Sequence, residues 1–199
     1  MDVREEILST ATRMFARRGF DRTTLQAIAD EVGIRKPSLL YHYPSKDQLR
    51  LSVLENLIAH WNEVLPRLLG AVTRGEERFD VLIRELVEFF RGDADRARLV
   101  VRELMDRPAE MREHLAAGVR PWVDLLSDYI RKGKKSGELH GDVDPEAYVV
   151  HVITLVVSSM AAAPVISGLF RDGEDAGQVE ERHVREVMRM ARASLFASR

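Results

Sequence analysis

The chain has 199 residues, 45% hydrophobic and 31% charged, enough for one or two small domains with a sizeable core. It has no cysteine, which excludes disulfides, thiolate metal sites and thiol catalysis. Formal net charge is −2, but residues 1–50 carry nine Lys/Arg against seven Asp/Glu, so a slightly basic head sits on an acidic body.

The opening "MDVREEIL" has no apolar leader, and a cytoplasmic location is expected. Helical spacing dominates the chain. Ile7, Ala11, Met14 and Phe15 stripe a first helix that ends at Gly19. A short second helix lies in "RTTLQAIADEVG", with Thr23 and Gln26 as a capping box, Thr24 as the competing cap and Gly33 as the stop. The third covers Lys36 to Tyr43 with Pro37 in its first turn, and Pro44-Ser45 breaks it. A long fourth helix carries Leu54, Leu57, Ile58, Trp61, Leu65 and Leu68 on one side. Phe79, Leu82, Leu86, Phe89 and Phe90 mark the fifth, and "DADRARLVVRELM" is the sixth. A seventh runs from Met111 to Tyr129, bent or restarted at Pro121. "KGKKSGELHGD" reads as a loop. Asp144-Pro145 then caps an eighth helix with no charged residue from Ala147 to Phe170, long enough to span a bilayer but read as a buried core helix. After the loop "RDGEDAGQ", Val184, Val187, Met188, Ala191 and Leu195 stripe a ninth.

The second helix, Gly33 and the third helix have the spacing of a helix-turn-helix. Ala29 is small where the two helices cross, and Gly33 can adopt a left-handed turn without Cβ strain. In such a unit the start of the second helix enters the DNA major groove. Arg35 and Lys36 occupy that start, Tyr41 and His42 come one turn on, and Lys46 adds a cation toward the sugar-phosphate edge.

Residues 5–54, with the matching text "ILSTATRMFARRGFDRTTLQAIADEVGIRKPSLLYHYPSKDQLRLSVL" beginning at Ile7, resemble the DNA-binding region of the tetracycline-repressor (TetR) family of bacterial transcription regulators. The motifs fall in order: Phe15-x-x-x-Gly19-Phe20, Thr-Thr, Ile-Ala, Val-Gly-Ile, Tyr-His-Tyr, then Pro-Ser-Lys and Leu49. The resemblance implies an all-α homodimer: an N-terminal three-helix unit (1–47) that binds a double-stranded operator, and a C-terminal effector-binding and dimerisation bundle (48–199), about nine helices in all. Effector binding is expected to release the DNA. The candidate DNA-contacting set is Thr23, Thr24, Arg35, Lys36, Ser38, Tyr41, His42 and Lys46. Arg35, Pro37 and Leu40 depart from residues common in the family at those places.

The body shows no His-Glu-x-x-His, Gly-x-Ser-x-Gly or P-loop, and its histidines lack metal spacing, so no cofactor, metal or catalytic role is expected. Trp61, Phe89, Phe90, Leu104, Met105, Trp122 and Leu126 are candidates for a mostly apolar effector site. His151, Thr154 and Ser158 form a polar stripe on the eighth helix. The first two are expected to touch the effector. Ser158, Ala162 and the Val184–Leu195 stripe are expected to pair two chains. A second reading is an all-helical enzyme or adaptor whose head does not bind DNA, and a gel shift separates the two.

Overall fold

Ten α-helices realise this periodicity in the computed structural model, which describes residues 2–71, 75–170 and 176–196. They are α1 (Val3–Arg18), α2 (Leu25–Val32), α3 (Lys36–His42), α4 (Lys46–Ala71), α5 (Gly75–Arg91), α6 (Ala94–Asp106), α7 (Pro108–Gly118), α8 (Arg120–Ser136), α9 (Pro145–Ile166) and α10 (Ala176–Ala193). The expected seventh helix is two, because the chain breaks at Val119 and Pro121 takes the second position of α8. The expected loop after it begins later: α8 continues through Ser136 and is stopped by Gly137 in the left-handed region.

Local chemistry sets the boundaries. Asp2 and Glu5 form a capping box on α1. The Ser45 hydroxyl accepts from the Gln48 amide at the start of α4, and Asp144 accepts from the Ala147 amide, with Pro145 in the first turn of α9. Between α2 and α3, Gly33 sits at φ 79°, ψ 24°, and the Ile34 amide returns to the Ala29 carbonyl. A side chain with a Cβ is strained at that φ.

One core runs through head and body. Ile7, Phe15, Ile28 and Leu39 join Val53, Leu57, Phe90, Leu99 and Val156 in a single buried cluster. α6 joins them, packing on α1 and on α9. A smaller cluster of Val123, Ile130, Val149 and Leu195 ties α8, α9 and the segment just after α10 together. The head is therefore seated on the body.

Two expectations about the last helices are corrected. α9 is not buried all round. Val149, Val152, Val156, Val157 and Met160 face inward, whereas Val150, His151, Thr154, Ser158 and Val165 are exposed. Pro145–Leu169 is long and apolar enough to cross a membrane, and one side of it is packed on α6 and α8. The stripe expected to pair two chains is turned inward: Val184, Val187 and Ala191 of α10, and Leu195 just after it, are buried within their own chain, and Met188 packs against that core.

Candidate nucleic-acid interface and ligand cavity

The helix-turn-helix presents one polar face. Arg35 caps α3 through its backbone alone and leaves its guanidinium exposed, beside exposed Lys36 and Ser38. Tyr41 is 85% exposed, its ring edge-on to half-buried His42 at 5.4 Å. Thr24 is exposed and caps α2 by accepting from the Ala27 amide. Leu39 and Tyr43 hold α3 down from beneath, and the Tyr43 hydroxyl accepts from Arg4 Nε at 3.3 Å.

Two residues of the expected contact set lie elsewhere. Thr23 is fully buried, and its hydroxyl donates to the carbonyls of Gly19 and Met14. Thr24, one residue on, wins the cap. Lys46 turns inward: its ammonium donates to the carbonyls of Phe20 (2.9 Å) and Thr23 (3.0 Å) and lies 4.1 Å from the Phe20 ring centroid. It pins the α1–α2 loop to the start of α4 and so positions the reading surface.

A cavity of about 1390 Å³ lies between α4, α5, α7, α8 and α9. Trp61, Phe89, Phe90, Trp122 and Leu126 line it as expected positions. Met111 lines it too, with Phe79, Tyr129, Tyr148 and Phe196, four rings outside the expected set. Trp61 and Phe89 meet edge to face at 5.1 Å, and Phe89 and Phe90 at 4.9 Å. Trp122 Nε1 donates to Asn62 Oδ1 at 2.8 Å, linking α8 to α4. Behind the aromatic wall, His60 stacks on Phe89 at 4.3 Å, and burial holds its imidazole below the usual histidine range. Burial also pushes the Tyr148 phenol well up, and its hydroxyl donates to the Ala191 carbonyl at 2.7 Å.

Four expected ligand residues are not in this wall. Met105 is 77% exposed and Leu104 is also exposed, because they fall on the outer side of α6. His151 and Thr154 lie on the exposed side of α9, where the Thr154 hydroxyl donates to its own helix at the Val150 carbonyl.

The profile "Bacterial regulatory proteins, tetR family" matches residues 7–53, and the profile "Tetracyclin repressor-like, C-terminal domain" matches residues 99–181. The chain belongs to the TetR family. Among its relatives is the HTH-type transcriptional regulator RutR of Escherichia coli K12, 29% identical over 162 residues, covering 78% of this chain and 71% of RutR. The same fold is seen in the ketosteroid transcriptional regulator KstR2 of Mycobacterium tuberculosis, with a TM-score of 0.73 at 20% identity over 99% of this chain and 96% of that one. It recurs in FadR of Bacillus subtilis in complex with stearoyl-CoA, with a TM-score of 0.73 at 15% identity over 96% and 98%. TetR-family membership makes this chain a ligand-responsive, DNA-binding transcription regulator that works as a homodimer, and favours that reading over the enzyme-or-adaptor one.

In this TetR-family chain, head and body meet at a charged joint that sequence reasoning missed. Arg50 of α4 is 3% exposed and Glu103 of α6 1% exposed, and they pair at 2.7 Å. Arg50 also binds Glu110 of α7. Arg107 approaches Glu103 and, from the other side, Asp21 of the head, each at 3.8 Å. The Phe20 ring lies against Lys46, Arg107 and Arg50 at 4.1, 4.5 and 5.6 Å. The available signal was a charge interrupting an apolar stripe, since Glu103 stands four residues after buried Leu99.

Proposed function

We propose that this regulator binds a palindromic operator through Thr24, Arg35, Lys36, Ser38, Tyr41 and His42 of two chains, and that a small, mostly apolar effector in the α4–α9 cavity releases it. The observation that carries this is the course of α4, which begins at the head beside Lys46 and Arg50 and lines the cavity from Leu54 to Leu69. α7 crosses it closely: a Cβ on Gly118 would sit 2.7 Å from Ile58 Cγ2. α7 also lines the cavity through Met111 and Leu115, and its first turn carries Glu110 to Arg50. An effector that prefers a wider cavity shifts the pair α4–α7 and with it the head, because a ligand moves an equilibrium only by its preference between states.

We assign chain pairing to the uncharged outer side of α9, where Ser158 and Ala162 lie in line with Val150 and Val165. Helices with small residues on one face approach closely, and an exposed apolar stripe of this length marks an association surface. The working division is head 1–47 and body 48–199, with α4 shared, and the regulator acts in the cytoplasm. The stearoyl-CoA in complex with FadR of Bacillus subtilis is consistent with a largely apolar effector here.

The test is direct. Selection from random duplex DNA yields a two-fold symmetric site, and Arg35→Ala relaxes preference at one base pair of each half-site. A selected site without symmetry, or loss of no preference in the variant, overturns the reading of the head. An apolar molecule that quenches Trp61 and Trp122 and lowers operator affinity supports the cavity as the control site.

A further inference from the structure

Eight of the chain's thirteen Phe, Trp and Tyr side chains line the cavity, including both tryptophans. That is eight of 38 lining residues, against an aromatic share of 7% in the whole chain, so rings are concentrated here about threefold. Trp61, Phe89 and Phe90 present faces and edges at steep angles, 70° and 80° between neighbouring planes. Such a wall offers flat slots whose quadrupoles reward another ring in offset or edge-to-face contact. An alkyl chain gains nothing from these slots that leucines would not supply. A single ring leaves most of about 1390 Å³ empty, a volume already above the roughly 300–1,000 Å³ of common ligand pockets.

The formally charged lining residues are gathered at one end. Glu76 and Arg78 come from the first turn of α5, Lys132 from the last turns of α8, and Glu138 from the turn just after it. Glu76 is held by Arg192, so its charge is already answered from outside this group. The Arg78 guanidinium and the Lys132 ammonium both approach the Tyr129 ring, at 4.9 and 5.8 Å, and Lys132 makes no ion pair among the described residues.

We propose that the effector is a flat molecule of two or more rings bearing one acidic group, its rings among Trp61, Phe89, Phe90 and Trp122 and its acid at Lys132, on the side of Arg78. This rests on the cavity being the effector site. Because both tryptophans line the cavity, intrinsic fluorescence reports on it directly. The probes are pyrene-1-carboxylate, pyrene-1-methanol, pyrene-1-methylammonium and tetradecanoate, the last read by displacement of bound pyrene. Pyrene-1-carboxylate is expected to bind about tenfold more tightly than the ammonium or tetradecanoate, the range of one charge-assisted contact. Lys132→Gln removes most of that advantage and leaves pyrene-1-methanol unchanged. Tighter binding of tetradecanoate overturns the ring claim, and equal binding of the acid and the ammonium, or an indifferent Lys132→Gln, overturns the acid claim. Operator release is measured separately. A bound ring probe that leaves operator affinity unaltered overturns the effector reading, whereas release by tetradecanoate in place of the ring acid upholds that reading and overturns the ligand class.

Discussion

Replacing Glu103 by Leu tests the joint between head and body. The change leaves the Arg50 guanidinium charged in a site where it is 3% exposed, with its 2.7 Å partner gone. Removing one member of a buried ion pair costs about 3–5 kcal/mol, because the other charge stays desolvated. Here Glu110, itself half exposed, still reaches Arg50, so the cost belongs at the lower end, about 3 kcal/mol. At roughly 2–4 °C per kcal/mol for a chain of this size, the melting temperature falls by about 6–12 °C. The paired variant Arg50→Met/Glu103→Leu removes both charges and fills the space with apolar atoms, and it recovers most of the loss, since apolar replacement of a buried pair is often neutral or stabilising. Thermal and denaturant unfolding of the parent, both single variants and the double variant give the coupling directly. A Glu103→Leu chain within about 1 kcal/mol of the parent, or a double variant whose losses simply add, refutes the idea that this pair is a buried, mutually dependent contact.

Gly118→Ala pushes a methyl to within 2.7 Å of Ile58 Cγ2 and 2.9 Å of its Cδ1 and destabilises by about 1–3 kcal/mol, with partial recovery when Ile58→Val removes Cδ1; denaturant midpoints measure both. Lys36→Ala lowers the slope of log affinity against log salt by about one, because a phosphate contact is lost. Lys46→Met weakens operator binding without changing that slope, since its ammonium serves the Phe20 and Thr23 carbonyls; a reduced slope for Lys46→Met would return it to the phosphate-contacting set. His60 titrates below its free value, so the unfolded chain takes up a proton near pH 6.5 that the folded imidazole does not. Its contribution is present above about pH 6.5 and is lost as the pH falls from there toward the folded value, and the difference in denaturant midpoint between parent and His60→Phe between about pH 7.5 and 5.5 should show it. Ser158→Glu places a charge on the uncharged side of α9 and yields monomers by light scattering, and an intact dimer moves the pairing surface elsewhere.

The sequence made the helices and the head legible because both depend on short-range rules. Gly33, Ser45 and Asp144 end or start helices through contacts within a few residues, and those contacts are present. What it could not assign was the side of a helix turned toward a partner distant in sequence. Val184, Val187, Ala191 and Leu195 make an apolar stripe whether they pack on their own chain or on a second one, and here they pack on their own. His151 and Thr154 are as polar facing solvent as facing a ligand. Lys46 shows the same limit at the scale of one side chain: a lysine beside a DNA-reading helix suggests phosphate, but two loop carbonyls and a phenyl ring lie within its reach. Arg50 and Glu103 are separated by 53 residues, and nothing local announces that they meet.

The outer side of α9 has a consequence for dosage. It runs from Val150 to Val165 without a charge and ends beside Leu169, which is 84% exposed. If this is the side through which two chains join, then occupancy of the operator depends on pairing before it depends on DNA. Wherever the chain is scarce enough for pairs to come apart, occupancy falls with the square of its concentration, by mass action. A twofold dilution during growth without new synthesis then removes more than half of the bound regulator, so the gene it controls responds sharply to concentration without any contact between neighbouring dimers on the DNA.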